Sequence, residues 1–210
     1  MDINTAAFIF SAMVSGLAAI VSDYRGQFWL AYFFRPFTIM LMIGLLFEAR
    51  PISFYRNAIM IGLVFSLLGE VMMMLKQKKF LAGLIFFLLT QISLSVAFFS
   101  QLHPGFLTWP AIILAILAGL ILFLIWPRLS SLKLPIIIYL LGILTMVRLA
   151  LELPHQLQGL SPWLAATGAL LFFFSDCLIA INRFYRKWAK AQIFILLFFY
   201  LGLLLITLSV

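Results

Sequence analysis

Leu171-Phe-Phe-Phe-Ser-Asp-Cys-Leu-Ile-Ala180 sets an acid, Asp176, inside a run that is otherwise apolar nearly all round. A helix of that kind has no polar face to turn to water, so it reads as a bilayer span or the centre of a bundle. A carboxylate held at such depth costs about 2.5 to 3.5 kcal/mol on insertion scales, and a chain that keeps one is expected to use it. Phe65-Ser-Leu-Leu-Gly-Glu-Val-Met-Met-Met74 repeats the pattern around Glu70. These two acids are the first place to look for chemistry.

The rest of the chain agrees with a membrane setting. Of 210 residues 66% are hydrophobic and 10% charged, and the mean hydropathy is +1.21, more apolar surface than a soluble core could hide. Apolar stretches of about 20 residues bounded by charge, Pro or turn residues predict spans at 3–21, 27–47, 54–75, 79–100, 106–126, 132–150, 161–181 and 188–209. The expected fold is therefore all-α: a polytopic membrane bundle of eight transmembrane helices, with residues 1–210 in one integral membrane domain. The first span lacks a basic leader and is longer than a cleavable signal, so it is expected to be retained. The single Cys177 excludes a disulfide framework within one chain.

Basic residues give the orientation. Arg25, Lys76, Lys78, Lys79, Arg128, Lys133, Arg183, Arg186, Lys187 and Lys190 fall on one set of connections; Arg50, Arg56 and Arg148, beside Glu48 and Glu152, fall on the other. By the positive-inside rule the first set is cytoplasmic and both termini are extracytoplasmic. The net charge of +8 then reflects topology and anionic headgroups, with no basic domain for nucleic acid. This orientation puts Glu70 and Asp176 each about five residues, roughly 8 Å, above the cytoplasmic ends of their spans. Arg35, Tyr139 and Gln192 come at similar depth, and Ser66 lies one helical turn from Glu70 on the same face. A polar pocket open to the cytoplasmic leaflet would gather them.

Simpler roles exist for most of these groups. Polar side chains in membrane helices often join helices, and Arg35 with either acid would make a structural ion pair. Tyr139 and the small-residue face Ala12, Ser15, Gly16 and Ala19 suit packing, and Arg148 suits snorkelling. His103 and His155 sit far from the acids, which leaves no three-histidine set for zinc, and neither metal nor cofactor is expected. The chain also lacks a phosphate-cradling Gly loop and a Gly-x-Ser-x-Gly elbow.

Arg35-Pro36, Ser66-Leu-Leu-Gly-Glu70, Phe80-x-x-Gly83-x-x-x-Phe87-x-x-x-Gln91, Tyr139 with Met146, Gly168-Ala-Leu-Leu-Phe-Phe-Phe-Ser-Asp176 with Asn182-Arg183-Phe184, and Ala191-Gln192 together resemble the YhhN-type lysoplasmalogenase family. The resemblance runs from residue 35 onward and is strongest over Gly168 to Phe184. Three positions depart from it: the family usually shows Lys-Pro, Gly-Asp and a His where this chain has Arg35-Pro36, Gly69-Glu70 and Gln91. What the resemblance implies is hydrolysis of the vinyl ether bond of lysoplasmalogens, in a bacterial inner membrane, with a lysophospholipid substrate and membrane lipids as partners. Asp176 and Glu70 would be catalytic, and Arg35, Ser66, Tyr139, Asn182 and Gln192 would bind substrate.

Two carboxyl groups suit that reaction, because one must protonate the alkene carbon while the other handles water, as in glycoside hydrolysis. The preferred assignment makes Asp176 the proton donor and Glu70 the water-orienting base, with Arg35 tuning a carboxylate or gripping phosphate. A proton- or ion-coupled transporter is the alternative, since buried acids also carry protons and an acid falls in the third span of each half. An intramembrane aspartyl protease fits less well, for lack of Tyr-Asp and Gly-x-Gly-Asp contexts.

Overall fold

In a bilayer every backbone N–H and C=O must be satisfied within its own segment, and apolar runs of this length meet that demand as helices. A computed structural model describes residues 3–48, 52–75, 79–103, 109–188 and 190–210. Among these residues there are eight α-helices and no strand: α1 (Ile3–Tyr24), α2 (Phe28–Glu48), α3 (Phe54–Met74), α4 (Phe80–Phe99), α5 (Trp109–Ile125), α6 (Lys133–Gln156), α7 (Ser161–Ala180) and α8 (Ala191–Leu208). Seven are long and apolar enough to cross a membrane. The exception is α5, whose 17 residues rise about 25 Å, short of a hydrocarbon core of about 30 Å. Among the described residues the eight expected spans are therefore seven helices of that length and one shorter apolar helix, which continues into a 3-10 turn at Trp126–Arg128. The start of the expected 106–126 span, and the topological markers Arg50, Lys76 and Lys78, lie outside the described residues.

Seven helices close into a ring in the order α1, α2, α3, α4, α6, α7, α8 and back to α1, while α5 lies outside against α6 and α7. Helices α7 and α8 meet backbone against backbone. A Cβ at Gly168 would sit 2.6 Å from the Gly202 carbonyl oxygen, and one at Gly202 would sit 2.8 Å from that of Gly168. Such bare positions let two backbones touch, the main source of helix association where lipid removes the hydrophobic drive. Ser175 adds a hydroxyl donated across this seam to the Ile195 carbonyl at 2.9 Å.

Two boundaries differ from expectation with consequences. Helix α6 runs to Gln156, six residues past the expected end at 150, because Glu152 is buried rather than in a loop. It pairs with Arg148 at 3.5 Å one turn earlier, and Gln156 clasps the main chain of His103 in both directions. Helix α7 passes into a π-helical turn, Ile181–Tyr185, so Asp176 stands nine residues from the helical end at Tyr185 rather than five. A wide turn of this kind commonly marks a functional site. Arg56, expected at the outer surface, is buried and caps α2 by donating its Nε to the Leu46 carbonyl at 2.6 Å.

Candidate active site

Between α1 and α2 the chain reverses through Gly26 at φ +69°, a left-handed turn that glycine adopts without strain. The reversal sets Asp23, at the end of α1, against Arg35 of α2. Arg35 donates Nε to Glu70 Oε1 at 2.6 Å and Nη1 to Asp23 Oδ1 at 3.2 Å. Tyr200 of α8 donates its hydroxyl to the same Glu70 oxygen at 3.4 Å. Glu70 is almost wholly buried, and a guanidinium bonded to its carboxylate offsets the cost of that burial.

Asp176 lives in different company. Its Oδ2 accepts the Tyr139 hydroxyl at 2.6 Å and Gln91 Nε2 at 3.4 Å, both from neutral side chains. No cation pairs with it among the described ion pairs. Gln91 reaches it only because α6 carries no side chain at Gly142, where a Cβ would lie 2.6 Å from Gln91 Oε1. Gln91 Oε1 and Ser66 Oγ are buried without a hydrogen-bond partner among the described residues.

Both carboxyl groups line one polar cavity of about 180 Å³, together with Arg35, Asn182, Arg183 and Gln192. A second cavity of about 70 Å³ is walled almost entirely by apolar side chains of α4 to α7, among them Leu84, Ile125, Ile143 and Phe173. Asp176, Met73, Phe80, Phe87 and Ile179 border both. The carboxyl of Asp176 therefore stands where a polar chamber meets an apolar lane, a shape suited to an amphiphile whose reacting bond lies at the junction of headgroup and chain.

Of the residues picked from sequence, Glu70, Asp176, Arg35, Asn182 and Gln192 border the polar cavity, and Tyr139 borders the apolar one while bonding Asp176. Ser66 is buried one turn from Glu70 and is absent from both linings. Asn182 spends its Oδ1 on the Trp188 N–H at 2.8 Å, fixing the turn after α7. Sequence reasoning passed over Asp23, Tyr200 and Arg183. An acid 12 residues before Arg35, at the end of an apolar run, was a readable signal for Asp23; nothing local signals that Tyr200 would meet a residue 130 positions away. Among the described residues no three His, Cys, Asp or Glu side chains group as a metal site.

A family model described as the YhhN family matches residues 30–210, nearly all of the chain. The chain belongs to the YhhN family. YhhN proteins of Escherichia coli O6:H1 (strain CFT073) and of Shigella flexneri, each described as an uncharacterized membrane protein, are 30% identical over 181 residues, covering 85% of this chain and 86% of each relative. No solved structure matches. Bacterial YhhN membrane-protein relatives and seven membrane-length apolar helices make the chain a multi-pass integral membrane protein, of the kind found in the bacterial inner membrane. The YhhN match takes in every residue bordering the polar cavity, whereas Asp23, the second partner of Arg35, precedes it.

Proposed function

We propose that this YhhN-family protein is an intramembrane hydrolase that cleaves the vinyl ether bond of lysoplasmalogen-type lipids, giving a fatty aldehyde and a glycerophospho-headgroup. The observation that carries this reading is the position of Asp176, bordering both the polar and the apolar cavity. A lysoplasmalogen seated with its chain in the apolar lane and its headgroup in the polar chamber brings the sn-1 alkene to that carboxyl.

The chemistry follows from the two environments. Asp176, with no cation paired to it among the described ion pairs, is the proton donor: it delivers its proton to the β-carbon of the alkene, leaving an oxocarbenium ion. Glu70, ionised opposite Arg35, orients a water and takes its proton as the oxygen bonds to the cation, giving a hemiacetal. Glu70 then protonates the departing glycerol oxygen while Asp176 takes the hemiacetal hydroxyl proton. Aldehyde and alcohol leave, one water is consumed, and both carboxyl groups return to their starting states. Tyr139 and Gln91 fix the orientation of Asp176, and the Tyr200 hydroxyl does the same for Glu70.

The test is purified protein in detergent or nanodiscs with three lipids of one chain length: a lyso-alkenyl, a lyso-alkyl and a lyso-acyl phospholipid. Only the alkenyl lipid can be protonated at carbon, so it alone should be consumed, with one aldehyde released per lipid. Release of fatty acid from the acyl lipid, or no aldehyde from the alkenyl lipid, overturns the reading. Counterflow in proteoliposomes without hydrolysis would favour transport instead.

A further inference from the structure

Resting on that reading, we infer that Arg183, on the π-helical turn after α7, is the residue that grips the phosphodiester of the substrate and so restricts the enzyme to lipids that carry one. Arg35 is the obvious cation for this role, yet its Nε and Nη1 already serve Glu70 and Asp23, two carboxylates for one guanidinium. An anionic headgroup approaching Arg35 meets net negative charge. Arg183 stands exposed at the rim of the same cavity. Its guanidinium carbon lies 3.7 Å from the centroid of the Phe80 ring, and no carboxylate pairs with it among the described ion pairs. Stacking holds the planar fork in place while leaving its N–H edges available, the arrangement that recognises phosphate bidentately. Beside it, Asn182 has its amide oxygen engaged by Trp188, which leaves the NH2 group as its free polar edge. The cavity rim there offers donors to an anion.

The spacing fits the lipid. Asp176 and Arg183 are seven residues apart, across the end of α7 and the start of the π-helical turn, about 10 Å at the usual helical rise. From the protonated alkene carbon to phosphorus a lysoplasmalogen has seven covalent bonds, about 8 Å when extended at roughly 3.5 Å per three bonds. The remaining difference is within reach of an arginine side chain. Arg186, Lys187 and Lys190, each exposed, follow before α8 and add positive potential around the rim.

The experiment compares binding of two uncleavable ligands to the purified full chain: a 1-O-alkyl lysophospholipid, which carries the phosphodiester, and a 1-O-alkylglycerol of equal chain length, which lacks it. The wild-type protein should prefer the phospholipid. Arg183→Gln should weaken the phospholipid about tenfold or more and leave the alkylglycerol within about twofold, and Arg183→Lys, which keeps charge without the fork, should fall between. Equal weakening of both ligands would mean that Arg183 only braces Phe80, and unchanged binding of both would mean that it stands idle; either result overturns the inference, as does a wild-type protein indifferent to phosphate. Because neither ligand is cleaved, the phosphate-selective loss can appear even where no aldehyde is formed, and that combination would reject the hydrolase reading alone.

Discussion

Gly168→Ala should damage both stability and catalysis although it adds only one methyl group, against Gly202 and Ile206. The new Cβ would lie 2.6 Å from the Gly202 carbonyl oxygen, 2.8 Å from Ile206 Cγ1 and 2.9 Å from the Ile206 amide nitrogen. Two of these three atoms are backbone, so no rotamer change can clear the space. Restoring an ordinary contact of 3.4 Å requires α7 and α8 to part locally by about 0.8 Å, and overpacking of this kind costs roughly 1 to 3 kcal/mol. Parting the helices also strains the hydroxyl bond from Ser175 to Ile195 and moves Asp176, on α7, relative to Gln192, on α8. A misplacement near 1 Å can lower turnover by about 10²-fold. Thermal unfolding in detergent and aldehyde release from a lyso-alkenyl phospholipid measure the two effects. Gly202→Ala should behave alike, and the double variant should lose less than the sum, because one separation accommodates both methyl groups. A Gly168→Ala protein with wild-type melting and wild-type turnover would refute the close-contact argument.

Arg35→Gln leaves Glu70 and Asp23 facing each other without a cation and should destabilise the protein by about 3 to 5 kcal/mol in equilibrium unfolding; adding Glu70→Gln should restore part of the loss, and a fully stable single variant would contradict the pairing. The orientation rests on Arg25, Lys79, Arg128, Lys133 and the Arg183 to Lys190 cluster together with Lys76 and Lys78. A reporter active only outside the cytoplasm should therefore work after Val210 and fail between Lys76 and Lys79, and the reverse pattern would invert the leaflet. Activity should survive EDTA, and loss restored by zinc would call for a metal held by carboxylates.

How far the sequence could be read depended on the range of the interactions involved. Hydrophobic runs are local, so most span ends fall within a few residues of where the apolar stretches put them: α5 ends at Ile125, one residue from the expected 126, while its expected start lies outside the described residues and α6 overruns its expected end by six residues. Glu70 and Asp176 were conspicuous because a carboxylate in an apolar run is costly anywhere. Their partners were less legible. Arg35 was visible as a cation at the right depth, but that Tyr139 and Gln91 meet on Asp176, or that Tyr200 reaches Glu70, depends on which helices are neighbours in the ring. Glu152 deceived in the other direction: an acid near a span end reads as a loop residue, yet Arg148 and Gln156 allow it to be buried within α6. Ser66 shares a helical face with Glu70 and is buried, yet it borders neither cavity, a detail that depends on the neighbouring helices rather than on spacing.

The most direct measurement is the rate of aldehyde release by purified Asp176→Asn and Glu70→Gln, each first shown to be folded by its melting transition. Both changes nearly preserve volume and remove one ionisable carboxyl. As proton donor and water-activating base, the two groups should each be worth about 10²-fold or more in turnover, with substrate binding largely kept. Folded variants that release aldehyde at the wild-type rate would contradict the account and leave the two acids as structural members of a polar cluster.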